Sequence, residues 1–165
     1  MCHAQPVHPR HRRRRLRGAG FTLPEVLVTL SVIAILGAIA APSFNHMLAT
    51  QRSKSIAADL VTVLTRTRSE AIKRSMDVTL APLGDGQWQS GWAVFNPGPA
   101  GGMLEQHGAI AHATVTGPAS IVFHANGRLR GNTAPSFDIS TTGNPDHRCV
   151  LVDLSGRPYL KTGGC

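Results

Sequence analysis

A single carboxylate interrupts the longest apolar stretch of this chain. Residues 21–41 read FTLPEVLVTLSVIAILGAIAA, and Glu25 is the only charged residue among them. An acid inside a membrane-spanning helix costs about 3 kcal/mol, so such an acid is by default a functional residue. The chemistry open to a carboxylate in apolar surroundings is pairing with a cation such as an amine. Glu25 is therefore the first candidate functional residue.

Cysteines are the second group of residues with chemistry of their own. Cys2 lies near the start of the chain, whereas Cys149 and Cys165 form an even pair near its end. If the end of the chain lies outside the cytoplasm, we expect a disulfide between Cys149 and Cys165. Its loop of about 17 residues would contribute about 3 kcal/mol. The alternative is two free thiols.

Signatures of catalysis and metal binding are absent from the sequence. It contains no G-x-S-x-G, H-E-x-x-H, Walker A or C-x-x-C motif. Asp138, His147 and Ser155 can be written as a triad, but a chain of this length offers such a set by chance. Four histidines in the region of predicted strands and turns lack the paired spacing of a metal site: His107, His112, His124 and His147. We therefore expect no enzyme, no catalytic residue, no metal and no cofactor.

Positive charge is concentrated at the start of the chain. The 165 residues carry a formal net charge of +8, with 17 basic and 9 acidic residues. Six arginines fall within the first 20 residues: Arg10, Arg12, Arg13, Arg14, Arg15 and Arg17. Without them, 11 basic and 9 acidic residues remain. With 42% apolar and 16% charged residues, the chain is not a disordered polyelectrolyte.

The apolar stretch has the length of a membrane span. Twenty-one residues of helix cover roughly 31 Å, which matches the hydrocarbon core of a bilayer. Because arginines stay on the cytoplasmic side, we expect a cytoplasmic N-terminus and an outward-facing segment after residue 41. The alternative, a buried core helix, would not need an arginine run before it.

Three export signals compete for this region. Ala38-Ile39-Ala40 fits the cleavage site of an ordinary signal peptide. The letters RRRRLR loosely fit a twin-arginine signal. Neither explains an acid inside the apolar segment. Glu25 favours the third, a leader that is cut before the apolar segment.

The letters GFTLPE at residues 20–25 resemble the leader junction of type IV pilins and pseudopilins. The resemblance implies that a prepilin peptidase cuts between Gly20 and Phe21 and then N-methylates the Phe21 amine. It also implies that Glu25 pairs with the amine of a neighbouring subunit and fixes the stagger of subunits in a filament. Pro24 departs from the usual leucine or isoleucine, but the first turn of a helix tolerates proline.

Beyond the apolar stretch, the pattern changes from helix to strands. Apolar residues recur at steps of three and four to about Ser75, which predicts an amphipathic helix. Five short strands are then predicted between glycine- and proline-rich turns: Val78–Leu80, Gly91–Phe95, Ile121–Phe123, Ser136–Ile139 and Cys149–Val152. The predicted fold is α+β and pilin-like, with one long helix packed on a mainly antiparallel sheet. The predicted parts are a leader (1–20), a transmembrane half-helix (21–42) and a globular domain (43–165).

Three phrases resemble the FimT/GspH family of minor pilins and pseudopilins. They are Arg68-Ser69-Glu70-Ala71 before a strand, Trp88-Gln89-Ser90-Gly91-Trp92, and Asn126-Gly127-Arg128 after Ile121–Phe123. On the strand proposed for them, Trp88 and Trp92 would share one face and pack in the core. The resemblance implies a minor subunit of a type II secretion system or a type IV pilus. The competing class is a membrane-anchored periplasmic binding domain that forms no filament.

The implied partners are prepilin peptidase, other pilins or pseudopilins, and the inner membrane. The implied location is a single-pass inner-membrane protein with its C-terminal domain in the periplasm, later assembled into a filament. Some family members bind DNA, and Gly127-Arg128-Leu129-Arg130 matches the G-R-x-R phrase associated with that activity. The family places this phrase near the C-terminus, where this chain reads Gly156-Arg157-Pro158-Tyr159. The candidate phosphate contacts are Arg128, Arg130, Arg157 and Lys161.

Overall fold

The computed structural model describes residues 20–98 and 101–165. The arginine-rich leader and Cys2 lie outside these residues. Two compact units divide the chain, residues 1–39 and residues 40–165. The second unit contains all of the β-structure and the hydrophobic core.

The helix α1 (Leu23–Arg74) continues without a break across Pro42. It ends within one residue of the predicted boundary. Ser75 has a left-handed φ of 52°, and its N–H donates to the Ile72 carbonyl, while the Met76 N–H donates to the Ala71 carbonyl. This pair of bonds is a Schellman motif, with serine in the place that glycine usually occupies.

Within residues 20–98 and 101–165, eight strands form two antiparallel sheets of four. The first sheet has the order β3-β2-β1-β5 and the second has the order β4-β6-β7-β8. The bounds are β1 Val78–Pro82, β2 Trp92–Phe95, β3 Met103–His107, β4 Ala113–Thr116, β5 Ile121–Phe123, β6 Ser136–Thr141, β7 Asn144–Val152 and β8 Pro158–Thr162. The α+β, pilin-like fold class is confirmed, and the predicted sheet is in fact two sheets.

All five predicted strands are present, but three further strands were missed. These are β3, β4 and β8, each of which lies at the edge of a sheet. These three strands bury almost none of their side chains and so lack a clear alternation of apolar and polar residues, whereas β5, also at an edge, buries Ile121 and Phe123 and was predicted. In β8, for example, only Pro158 is even half-buried.

The strand predicted for both tryptophans was wrong in one respect. Trp92 begins β2, but Trp88 lies in the short 3-10 helix Trp88–Ser90. The predicted core role is confirmed, because both side chains are at most 2% exposed and their ring centroids lie 6.3 Å apart. The Trp88 indole N–H donates to the Pro118 carbonyl at 2.7 Å, which satisfies the one polar atom of the ring.

The core lies between the second half of α1 and both sheets. One stripe of α1 is buried, with the 3–4 residue spacing of an amphipathic helix: Ala49, Ser53, Ile56, Ala57, Leu60, Val63, Leu64, Thr67 and Ala71. The strands supply large buried side chains, including Leu80, Phe123, Phe137 and Val150. The sequence period that predicted an amphipathic helix therefore identifies the face that packs.

Two glycine turns connect the sheets to each other and to α1. The first turn follows β5, where the predicted Asn126-Gly127 turn folds the chain back so that the His124 N–H donates to the Arg128 carbonyl. The second, residues 153–157, joins β7 to β8. A Cβ on Gly156 would overlap the Gly127 carbonyl oxygen, so the two turns are in direct contact. The Arg68 side chain of α1 donates to the same oxygen at 3.1 Å. We call residues 124–128 and 153–157 the paired turns.

Replacing Gly156 with alanine should destabilise the fold strongly. Its φ of +84° already disfavours a side chain, and the added methyl would overlap backbone that cannot move independently. We expect a loss of more than about 3 kcal/mol in the free energy of unfolding. Thermal unfolding of the full chain, followed by the fluorescence of the two buried tryptophans, measures this.

Gly84 is the matched control. Its φ is +60°, but no atom lies within 4 Å of an added Cβ. Gly84→Ala therefore isolates the backbone strain and should cost about 1 kcal/mol. Equal losses in the two variants would show that the contact between the paired turns adds nothing.

Candidate functional site

The predicted cleavage site lies in the segment just before α1. Gly20, Phe21 and Thr22 precede the helix, which begins at Leu23. The Phe21 side chain is 80% exposed, and no atom lies within 4 Å of the space that a Cβ on Gly20 would occupy. A peptide bond in such a place is open to a protease, because its backbone is not engaged in helix hydrogen bonds.

Glu25 caps the beginning of α1. The Thr22 N–H donates to Glu25 Oε2 at 3.4 Å, and the carboxylate lies in the first turn of the helix. Thr22 and Glu25 have the T-x-x-E spacing of a capping box, which sequence reasoning missed although the signal was present. Glu25 thus has a local role in its own chain, in addition to the role predicted for it in a filament.

Residues 26–41 of α1 are apolar on all sides of the helix. Among the described residues, none of their side chains is buried. An 18-residue window of α1 has a mean hydropathy of 2.2, enough to cross a membrane by length and composition. The hydroxyls of Thr29 and Ser31 donate to the Val26 and Leu27 carbonyls at 2.9 and 2.8 Å. Polar groups that are satisfied within the helix suit apolar surroundings.

Cys149 and Cys165 are joined by a disulfide, with an S–S distance of 2.05 Å. Cys149 is fully buried in the interior strand β7, and Cys165 lies on the tail that follows β8. The Cys165 N–H donates to Asp138 Oδ1 at 3.3 Å, and His147 Nδ1 lies 2.7 Å from Asp138 Oδ2. The end of the chain is thus held by one covalent bond and by contacts with β6 and β7.

The residues of the chance triad do not assemble. Asp138 and His147 pair, but the Ser155 hydroxyl donates to Asp153 Oδ1 at 2.6 Å. This bond, followed by that from the Arg157 N–H, lowers the pKa of Asp153. The bonds of Ser155 and Arg157 to Asp153 shape the turn between β7 and β8.

Two further histidines, His107 and His124, pair with an aromatic ring or an acid. His107 stacks on Trp92 with centroids 4.2 Å apart, and His124 lies 3.1 Å from Asp77. The hydrogen bond with His124 is the main cause that lowers the pKa of Asp77. Within residues 20–98 and 101–165, no group of three or more His, Cys, Asp or Glu side chains could hold a metal ion.

The four basic residues predicted to contact phosphate fall into three settings. Arg128 and Arg157 are exposed and lie on the paired turns, which the fold brings together. Arg130 is bound to Asp77 at 2.8 Å, so its charge is offset. Lys161 lies on β8, directly opposite Cys149.

Two family models match the sequence. The model of the type II transport protein GspH matches residues 57–156, and that of the prokaryotic N-terminal methylation motif matches residues 15–41. The first covers most of the second compact unit, and the second covers the leader junction, Glu25 and the apolar segment. No curated protein sequence matches the chain significantly.

Solved structures of two proteins share the fold. The type IV minor pilin FimU of Pseudomonas aeruginosa matches in two crystal forms. The first has 23% identity, a TM-score of 0.60 and coverage of 68% of this chain and 90% of that one. The second has 25% identity, a TM-score of 0.57 and coverage of 66% and 91%. The minor pseudopilin EpsH of Vibrio cholerae matches with 14% identity, a TM-score of 0.54 and coverage of 67% and 97%.

Proposed function

This chain belongs to the family of the type II transport protein GspH, and on that premise we propose that it enters a filament through Gly20, Phe21 and Glu25. It is a minor pseudopilin or minor pilin of a type II secretion system or a type IV pilus. The family is one of structural subunits. The methylation motif implies processing by prepilin peptidase and assembly with other subunits.

One observation supports this proposal above the others. Residues 23–41 of α1 bury none of their apolar side chains among the described residues and carry a single carboxylate, that of Glu25, the fifth residue after the cleavage site. Cleavage after Gly20 would leave a cationic amine on Phe21. In a bundle of such helices, pairing that amine with Glu25 of a neighbour removes two unpaired charges at once. Because only one stagger of the helices brings the two groups together, the pair sets the register of the filament.

We propose a cytoplasmic N-terminus and a periplasmic domain formed by residues 43–165. The arginines of residues 1–20 support this orientation, because basic residues stay on the cytoplasmic side. The disulfide supports it as well, since such bonds persist outside the cytoplasm. Residues 1–20 would be removed, and residues 21–42 would span the inner membrane until they enter the filament.

Processing should yield a mature chain that begins at Phe21 with a methylated amine. Gly20 is open to a peptidase, and a side chain there is expected to interfere with recognition of the junction. Intact-mass spectrometry of the membrane fraction measures both changes, and Gly20→Ala should leave an uncut precursor in the membrane. A mature chain that begins at Ala41 would identify an ordinary signal peptide and contradict the proposal.

Variants of Glu25 should separate the effect of its charge on filament assembly from the effect of its capping bond with the Thr22 N–H. Glu25→Leu should be inserted and cleaved normally but fail to join the filament. Glu25→Gln keeps an oxygen for the Thr22 N–H, because glutamine also serves in a capping box, but it removes the charge. We expect Glu25→Gln to fail as Glu25→Leu does, measured as the amount of this subunit that co-purifies with sheared filaments or pseudopili.

Thr22→Val is the matched control for a side-chain change in the same turn, since it keeps the Glu25 carboxylate and the Thr22 N–H that binds it and replaces only the hydroxyl with a methyl group. It should be incorporated at close to the normal level. Normal incorporation of Glu25→Gln would mean that Glu25 acts as a helix cap and that the charge pair has no role.

Binding of DNA is a second candidate function, favoured by the contact between the paired turns. That contact brings the Gly127-Arg128 and Gly156-Arg157 phrases together, although they are far apart in the sequence. Two exposed guanidinium groups on adjacent turns can contact phosphates of one backbone without reading bases. The net charge of +2 for residues 21–165 gives little long-range attraction.

Any affinity for duplex DNA should therefore be weak and sensitive to salt. Contacts from Arg128, Arg157 and Lys161 would give a log–log salt slope of about −3. Titration of the mature protein in detergent at low and physiological salt measures the slope. The double variant Arg128→Ala/Arg157→Ala should lose binding, whereas Arg66→Ala, an exposed arginine that pairs with Glu105, should not. Absence of binding at low salt, or equal loss in Arg66→Ala, would dismiss this candidate.

A further inference from the structure

The tail of residues 163–165 is held against the second sheet by two hydrogen bonds in addition to the disulfide. The Gly163 N–H donates to the His147 carbonyl at 3.0 Å, and the Cys165 N–H donates to Asp138 Oδ1 at 3.3 Å. His147 Nδ1, 2.7 Å from the other carboxylate oxygen, fixes the orientation of Asp138. These contacts join backbone groups of the tail to side-chain and backbone groups of β6 and β7. They would therefore remain available when both cysteines are reduced.

Cys149 lies in the middle of a row of side chains on one face of this sheet. It is directly opposite Asp138 on β6 and directly opposite Lys161 on β8. Directly opposite residues of antiparallel strands project to the same face. His147, two residues earlier on the same strand, projects to that face as well. The ionisable groups on the face of Cys149 therefore include the carboxylate of Asp138, the imidazole of His147, the ammonium of Lys161 and the phenol of Tyr159, which lies two residues before Lys161 on β8.

The two cysteines differ in access. Cys149 is fully buried in a strand with neighbours on both sides, whereas Cys165 is exposed near the end of the tail. A surface cavity of about 570 Å³ lies beside the tail and is lined in part by His147, Thr162 and Gly164. When the two cysteines are reduced, a reagent from solution is expected to meet Cys165 first, because Cys165 lies on the tail and Cys149 lies in an interior strand.

We propose that Asp138, held by His147, is a positioning residue that seats Cys165 over Cys149, and that Lys161 favours the thiolate of Cys149. Together they form a template on which the disulfide closes by exchange with a disulfide oxidant of the thiol–disulfide oxidoreductase class. The cellular setting rests on the proposed periplasmic location. The template itself is a property of the folded chain, and purified protein tests it independently of that location.

Closure proceeds in two exchange steps. The Cys165 thiolate attacks one sulfur of the oxidant's disulfide, which forms a mixed disulfide and releases the other sulfur as a thiolate. The Cys149 thiolate then attacks Cys165 Sγ, the bond between Cys165 and the oxidant breaks, and the oxidant leaves as a dithiol. The two cysteines lose two electrons, which the oxidant gains, and their two protons pass through solvent to the oxidant's sulfurs.

Oxidation of the reduced full chain in detergent by oxidised glutathione tests the proposal. Cys2 is replaced by serine throughout, and alkylation followed by mass measurement reports free thiols, mixed disulfide and closed disulfide over time. Asp138→Asn should slow the second step about tenfold, because the tail loses a charge-assisted contact that positions it. Lys161→Gln should slow the same step near neutral pH, and the difference should shrink at about pH 9, where thiolate forms without help.

Asp85→Asn and Lys73→Gln are matched controls, because each removes an exposed charge that lies outside the second sheet and outside the cavity beside the tail. Both should close at the normal rate. Circular dichroism of the reduced proteins reports whether each variant folds. If Asp138→Asn does not fold, the closure rate of Lys161→Gln alone tests the template. In a folded Cys149→Ser variant, glutathione should accumulate on Cys165. Closure of Asp138→Asn and Lys161→Gln at the normal rate, or equal slowing in the controls, would overturn the template.

Discussion

Apolar side chains that find no partner within their own chain are the constraint on which this molecule depends. The described residues before position 42 expose leucine, isoleucine and valine on every side of α1. Such a surface is stable only in lipid or against other helices, because each exposed side chain carries about 1.5–3 kcal/mol of unrealised burial. By length and composition, the segment can cross a membrane. The single carboxylate within it matters for the same reason, since its charge requires a partner wherever the helix goes.

In the second compact unit, by contrast, one stripe of the same helix is buried in a hydrophobic core. Its α1 residues pack on two small sheets rather than on one large sheet, and the paired turns join the sheets. Arg68 binds the Gly127 carbonyl, and Gly156 leaves room for that carbonyl. Three phrases that carry the family resemblance, around Arg68, Gly127 and Trp88, thus have structural roles in this core or at this junction.

Much of this could be predicted from the sequence because it is encoded in local patterns. Each of three signals involves only neighbouring residues: the leader junction, the apolar run and the helical period. The apolar run and the helical period predicted the two halves of α1. The strands β3, β4 and β8 were missed because they bury too few side chains to show an alternation of apolar and polar residues. Trp88 was placed on a strand because its spacing from Trp92 fits one, whereas the intervening Gly91 has a φ of +104° that breaks the strand between them.

Contacts between distant residues could not be predicted in the same way. The pairing of Asp138 with His147 depends on the register of β6 and β7, and the contact between the paired turns depends on how two sheets meet. The capping box is different, since Thr22 and Glu25 are three residues apart and the signal was visible. Glu25 is both a charge in an apolar segment and the acceptor of a local capping bond, and the first property alone was used to predict its role.

The proposed pair joins Glu25 to the terminal amine of a neighbouring subunit. A hydrophobic carbodiimide, which couples a carboxylate to an amine without a spacer, tests this in filaments or pseudopili assembled from isotopically heavy copies of this chain and light copies of the other subunits. We expect a cross-linked peptide that joins Glu25 of the heavy chain to the N-terminal residue of a light subunit, absent from detergent-dispersed monomers and from Glu25→Gln. Cross-links only between Glu25 and Phe21 of the same chain, or none in intact filaments, would contradict the pairing.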